Sequence, residues 1–150
     1  MEEKIIIHID MDDVLCQYIG ANMNARRENP SLEYPQSVPG FYVGLEPIPG
    51  AISGFKLLEE HFEVYIATRP SYMNAHCYSE KRIWTEKHFG LETCKNLSLV
   101  PNKNLLIGDY LIDDMPWLKF RGKQLLFGSS EFPNWDIIID YFDSNVKKIK

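Results

Sequence analysis

Residues 4–9 of the chain read KIIIHI, and Asp10, Met11, Asp12 and Asp13 follow at once. A short run of β-branched side chains is the pattern of a buried strand, and acids that close it stand at its carboxyl end. The rest of the chain repeats the alternation that this run begins. Residues 51–61 (AISGFKLLEEH) come after Pro49-Gly50 and set Ile52, Phe55 and Leu58 on one helical face. Residues 63–67 (EVYIA) predict a second strand. Residues 74–89 predict a helix with Tyr78, Ile83, Trp84 and Phe89 as its apolar positions and Gly90 as its stop. Short apolar strands are expected over 97–100, 105–107 and 124–127, then a closing helix over 135–142, with the lysine-rich end 147–150 fraying. Strand alternating with helix predicts an α/β domain, its central sheet parallel and its crossovers right-handed.

One segment breaks the rhythm. Residues 17–49 separate the first strand from the first clear crossover helix, a distance too long for a plain connection. They combine a helical stretch (19–28) with loop rich in Pro, Tyr and Phe. This segment reads as a small insert or lid over the carboxyl edge of the sheet.

Composition narrows the class. A chain of 150 residues, 45% hydrophobic and 25% charged, can bury one ordinary core and is expected to form a single domain over 1–150. A net charge of −5 argues against gripping a nucleic-acid polymer but leaves a small anionic substrate open. Cys16, Cys77 and Cys94 are odd in number and lack metal or redox spacing, so free thiols in a reducing compartment are expected. No signal peptide is recognisable at the start, and no apolar run reaches the roughly 18–20 residues that span a bilayer. The expectation is a soluble cytoplasmic protein without a membrane partner.

The acids carry the functional information. Asp10, Asp12 and Asp13 follow the first strand, and Asp109, Asp113 and Asp114 follow the run at 105–107, in the segment GDYLIDD. In a parallel sheet the strand C-termini share one edge, where open α/β folds bind ligands. Two acid clusters at two strand ends are therefore expected to converge. Carboxylates so gathered repel one another unless a cation sits among them, and an oxygen-only set favours Mg²⁺. One acid at a strand end is ordinary turn chemistry; the recurrence at two ends argues for a site. Thr68 closes the second strand and would put a hydroxyl on the same edge, suited to a phosphate oxygen. Lys103 would add a cation that offsets phosphate charge.

This order of motifs resembles the haloacid dehalogenase (HAD) superfamily of phosphotransferases with an aspartate nucleophile. The D-x-D-x-[VTL] motif is matched by Asp10-Met11-Asp12-Asp13-Val14, and the later motifs by Thr68, Lys103 and the stretch from Gly108-Asp109 to Asp113-Asp114. Within the superfamily the chain is similar to the 5′(3′)-deoxyribonucleotidase family over roughly residues 5–116. The likeness rests also on Glu46-Pro47-Ile48-Pro49-Gly50-Ala51, on Tyr78-Ser79-Glu80-Lys81 with Trp84, and on Leu111-Ile112-Asp113-Asp114-Met115-Pro116. Gly40-Phe41-Tyr42-Val43 resembles that family's cap segment, whose aromatics contact the base. The chain departs from the pattern with Asp13 in place of the usual Gly. After Thr68 the family has Ser-Pro and then a lysine, where this chain has Arg69-Pro70 and then Ser71-Tyr72, and Pro101 replaces an arginine two residues before Lys103. Much of the cap between Val43 and Glu46 is missing.

The resemblance implies a three-layer Rossmann-like fold, with 17–49 as a reduced cap. It implies that Asp10 attacks phosphorus and that Asp12 serves as general acid and base. Mg²⁺ would be held by Asp10, the Asp12 backbone carbonyl and Asp113, assisted by Asp114. Thr68 and Lys103 would bind the phosphate oxygens, and Arg69 either grips a second anionic group or faces solvent. Tyr18, Phe41 and Tyr42 either stack a base or bury the short cap. His8 reads as a core histidine; His61, His76 and His88 lack ligand spacing and read as helix-surface residues. The expected activity is that of a Mg²⁺-dependent phosphatase of small phosphomonoesters, with deoxynucleotides favoured. The alternatives are a phosphatase of a larger substrate, a receiver domain phosphorylated by a partner, and a catalytically silent binding protein.

Overall fold

The structure, a computed structural model, describes residues 3–150. Strands β1 (Ile6–Ile9), β2 (Glu63–Thr68), β3 (Leu97–Leu99), β4 (Tyr110–Asp113) and β5 (Lys123–Leu126) form one sheet in the order β3-β2-β1-β4-β5. All pairings are parallel, as the alternation of elements requires. The helices are α1 (Tyr18–Glu28), α2 (Ala51–His61), α3 (Cys77–Phe89) and α4 (Trp135–Asn145). β1 is central: the chain runs from it outward through β2 to β3 on one side, then crosses back to β4 and β5 on the other. This is the switch point where open α/β sheets bind ligands.

The core joins sheet and helices through side chains such as Ile7, Ile9, Phe55, Ile66, Trp84, Ile112 and Phe142, all fully buried. Trp135 on α4 lies against Gly54 of α2, where a Cβ would come within 2.6 Å of the indole ring. The indole nitrogen donates to the Val14 carbonyl at 2.8 Å, which ties α4 to the loop after β1.

The insert leaves and rejoins the body at one place. Gln17 N donates to Glu46 O, and Ile48 N to Leu15 O, each at 2.8 Å. The insert is fixed from α3. The Glu80 carboxylate accepts from Gly40 N at 2.5 Å and from Tyr42 N at 3.1 Å. The Trp84 indole donates to Leu45 O at 2.8 Å.

Four expectations are corrected. Residues 105–107 are not a strand: a 3₁₀ turn spans Lys103–Leu105, and the side chains of Leu105 and Ile107 stand largely in solvent. The strand starts at Tyr110, because Asp109 begins the ladder with β1: its amide donates to Ile6 O and its carboxylate accepts from Ile6 N at 2.8 Å. Asp109 thus marks the strand's entry, at the far end of the sheet from Asp10. On α3, Tyr78 and Ile83 face outward, and the buried face is Cys77, Glu80, Lys81, Trp84 and Thr85. The C-terminal end does not fray, since Ile149 N and Lys150 N both donate to the Asp143 carboxylate at 2.8 Å and Ile149 is buried. His88 is half-buried rather than on the surface, its ring 4.5 Å from that of Trp84. His8 is a core residue whose Nε2 lies 2.8 Å from Ile107 O.

Asp13 explains itself in this frame. Its φ of 61° is left-handed, a conformation that glycine adopts freely and Asp tolerates. Its carboxylate accepts from Tyr18 N and Ile19 N, both at 3.0 Å, and so caps the start of α1. Asp13→Ala should lower stability by about 1–2 kcal/mol, losing the cap while keeping a Cβ at positive φ. Asp13→Gly should lose less, and equal losses in urea denaturation would contradict this account.

Candidate active site

The register of the sheet builds the site. Ile9 pairs with Ile66 on β2 and with Ile112 on β4. Asp10 is therefore level with Asp113 on one side and one step short of Thr68 on the other. Lys103, from the 3₁₀ turn, places its ammonium 2.6 Å from Asp10 Oδ1 and 2.6 Å from Asp113 Oδ2. Backbone amides complete the grip: Met11 N donates to Asp10 at 2.8 Å and Met115 N to Asp113 at 2.9 Å. Carboxylate oxygens of Asp10, Asp113 and Asp114 lie within 4.8 Å of one another. Asp10 thus meets Asp113 and Asp114, while Asp109 of the second cluster lies at the far end of the sheet beside Ile6.

Three carboxylates face one ammonium, which leaves two negative charges uncompensated in a largely buried place. Burial and the neighbouring acids push the Asp114 pKa up to about 7. Burial likewise raises Asp10 against the opposing pull of Lys103, and Asp113 with the help of Asp10. Burial works against the Lys103 charge, yet Asp10 and Asp113 outweigh it and raise its pKa. Asp114 Oδ1 is buried and has no hydrogen-bond partner among the described residues. An oxygen-only cluster with excess negative charge and an unsatisfied buried oxygen fits a hard divalent cation.

Above the cluster opens a cavity of about 840 Å³. Asp10, Asp12, Lys103 and Asp114 form its floor, and Tyr18, Tyr42 and Arg69 belong to its walls. The Arg69 side chain is exposed and makes no ion pair among the described residues. Phe41 stands apart: it packs edge-on against Tyr18 and Tyr42, with centroids 5.7 and 5.2 Å away, and is no part of the wall. Thr68 is fully buried and also lies outside the wall, its hydroxyl accepting from Lys81 Nζ at 2.6 Å.

Sequence reasoning missed Lys81, whose ammonium also reaches Asp12 Oδ2 at 2.9 Å. Hydropathy sends a lysine to solvent. The available signal was its spacing with Cys77, Trp84 and Thr85, which puts all four on one helical face. Tyr72 and Trp117 were missed too: both are walls of the cavity and mostly exposed.

The family described as 5′ nucleotidase, deoxy (pyrimidine), cytosolic type C protein matches residues 31–138. A Vibrio phage KVP40 protein provisionally named 5′(3′)-deoxyribonucleotidase is 33% identical over 150 residues, covering 97% of this chain and 88% of that protein. The chain belongs to the 5′(3′)-deoxyribonucleotidase family, whose members are named as phosphoric monoester hydrolases. The human cytosolic-type 5′(3′)-deoxyribonucleotidase is 35% identical over 103 residues, 67% of this chain but 47% of its own length. A Bordetella bronchiseptica relative of the same provisional name is 42% identical over 81 residues, 53% of this chain and 44% of its own. The chain thus aligns with just under half of these two. A haloacid dehalogenase-like family hydrolase from Xanthomonas campestris superposes with a TM-score of 0.53 at 10% identity, over 89% of this chain and 84% of that one. That likeness shows the HAD-like fold. Among the described residues no helix is long and apolar enough to cross a membrane.

The raised carboxylates give a test of cation binding. A group whose folded pKa exceeds its unfolded value holds its proton more tightly when folded. The Asp114 contribution to stability therefore weakens as pH rises from about 4, the unfolded value, to about 7. Metal-free protein should lose thermal stability across that window. The gap in Tm between Mg²⁺ and chelator should widen as pH passes through it, and a gap independent of pH would contradict the cation site.

Proposed function

We propose that the protein hydrolyses small phosphomonoesters, deoxynucleoside monophosphates above all, by way of a phosphoaspartate on Asp10. The observation that carries this reading is the Lys103 ammonium held 2.6 Å from both Asp10 and Asp113 at the floor of an open cavity. Asp10 Oδ1 is engaged by Lys103 and the Met11 amide, which aims the carboxylate and leaves its other oxygen to attack.

In the first step Asp10 forms a bond to phosphorus as the ester P–O bond breaks, and Asp12 gives its proton to the leaving alkoxide. In the second, Asp12 takes a proton from water, the water oxygen bonds to phosphorus, and the bond to Asp10 breaks. Alcohol and inorganic phosphate leave, and both aspartates are restored. Mg²⁺, held by Asp10, Asp113, Asp114 and the Asp12 carbonyl, would neutralise the gathered charge and let an anionic nucleophile meet an anionic phosphoryl group. Lys103 holds the transferring oxygens as charge redistributes over them. Thr68 joins Lys103 in this if its buried hydroxyl turns toward the bound phosphate.

The base is assigned to the aromatic wall, with Tyr18 and Tyr42 on the insert side and Phe41 packed behind them. Stacking on such faces tolerates any base, so selectivity among deoxynucleotides should stay below about 100-fold. Arg69, exposed beside the phosphate position, suits a further anionic group on the substrate. The volume of the cavity also leaves room for larger phosphomonoesters, which keeps that reading alive.

The test is turnover with Mg²⁺ on deoxynucleoside monophosphates, sugar phosphates and phosphopeptides, for the wild-type protein and for Asp10→Asn. Nucleotide hydrolysis should lead and should fall by at least about 10³-fold in the folded variant, which has lost its nucleophile. Wild-type turnover by Asp10→Asn would remove the covalent route, and a lead by phosphopeptides would favour the larger substrate.

A further inference from the structure

We infer that Lys81 is a positioning residue that holds Asp12 for its acid–base role; the inference rests on the function proposed above. Lys81 sits on the inward face of α3 with its side chain fully buried. A lysine is almost never wholly buried unless its charge is paired. Here each of the three ammonium protons has one acceptor: Asp12 Oδ2 at 2.9 Å, Thr68 Oγ1 at 2.6 Å and the Arg69 carbonyl at 2.7 Å. The Tyr42 ring covers the ammonium from a fourth side, 4.9 Å from its centroid. No donor remains for a substrate, so Lys81 does not bind phosphate directly.

What Lys81 does is join two strand ends. Asp12 stands in the loop after β1, where its backbone alone does not fix its carboxylate. Among the described residues its other oxygen has only the Cys16 thiol, at 3.7 Å, a weak donor. Thr68 and Arg69 stand at the end of β2, beside β1 in the sheet. Through the ammonium, the Asp12 carboxylate takes its position from β2 and α3. A general acid misplaced by about 1 Å can lose about 10²-fold in rate, so this fixation bears on catalysis.

A lysine that merely knits α3 to the sheet would behave differently from one that acts through Asp12. The leaving alkoxide of a nucleotide needs the Asp12 proton when its P–O bond breaks, whereas nitrophenolate leaves without one. The readout is kcat/KM on deoxynucleoside monophosphate and on p-nitrophenyl phosphate, since this constant covers the first step. Asp12→Asn should lose about 10²-fold or more on the nucleotide and less than about 10-fold on the aryl ester. Lys81→Met should follow the same pattern, and Lys81→Gln, which keeps a donor, should recover part of the nucleotide rate.

If Asp12→Asn loses equally on both esters, the acid–base reading fails and takes this inference with it. If Asp12→Asn shows the ester dependence and Lys81→Met loses equally on both, the positioning role is overturned while the function stands. A measurement on the intact chain covers the case in which the Lys81 variants do not fold. Nitrogen-15 NMR of the lysine ammonium groups should show a water-protected Lys81 signal that moves in Asp12→Asn. A Lys81 signal in rapid exchange with water, or one indifferent to Asp12→Asn, overturns the inference.

Discussion

The contact on which the site depends is the Lys103 ammonium set between Asp10 and Asp113. It bridges the carboxyl ends of two adjacent strands, β1 and β4, with both carboxylates nearly out of solvent. One positive charge among three acids makes the arrangement possible without satisfying it, and the remaining charge is what a divalent cation would answer. The parallel register places Asp10 and Asp113 level with each other. Fold and chemistry are thus linked through a single strand pairing: a slip of one residue would turn Asp113 to the other face of the sheet.

A second dependence runs through α3. Its adjacent residues Glu80 and Lys81 both point inward but serve different neighbours. Glu80 accepts the amides of Gly40 and Tyr42 and so locates the insert, while Lys81 reaches Asp12 and Thr68. The Tyr42 ring over Lys81 closes the circuit. The shortened insert is held as closely as the loop after β1, and by the same helical turn.

Much of this was legible in the chain because polarity changes abruptly at the strand ends. KIIIHI followed by three acids within four residues, and EVYIA followed by Thr68, announce an edge as well as a strand. The position of β4 was not legible for the opposite reason. Leu105 and Ile107 look like a buried strand, yet they lie in solvent, and the true strand, YLID, mixes a tyrosine with an aspartate at its carboxyl end. An apolar run carries no record of whether a ladder partner is available, and here the partner was set by Asp109 pairing with Ile6. Lys81 and Glu80 were hidden by their charge, which hydropathy reads as exposure. The alternative of a phosphorylated receiver domain finds no support in the strand ends: the acids close β1 and β4, while β3 runs into Val100 and Pro101.

The central claim is that Asp10, rather than water, makes the first bond to phosphorus. The stereochemical course at phosphorus tests it most directly, using a deoxynucleoside phosphorothioate monoester made chiral with sulfur and oxygen-18 and hydrolysed in water labelled with oxygen-17. Attack by Asp10 followed by attack of water inverts the centre twice, so the inorganic thiophosphate should emerge with net retention. A single direct attack by water inverts it once, and net inversion would contradict the account.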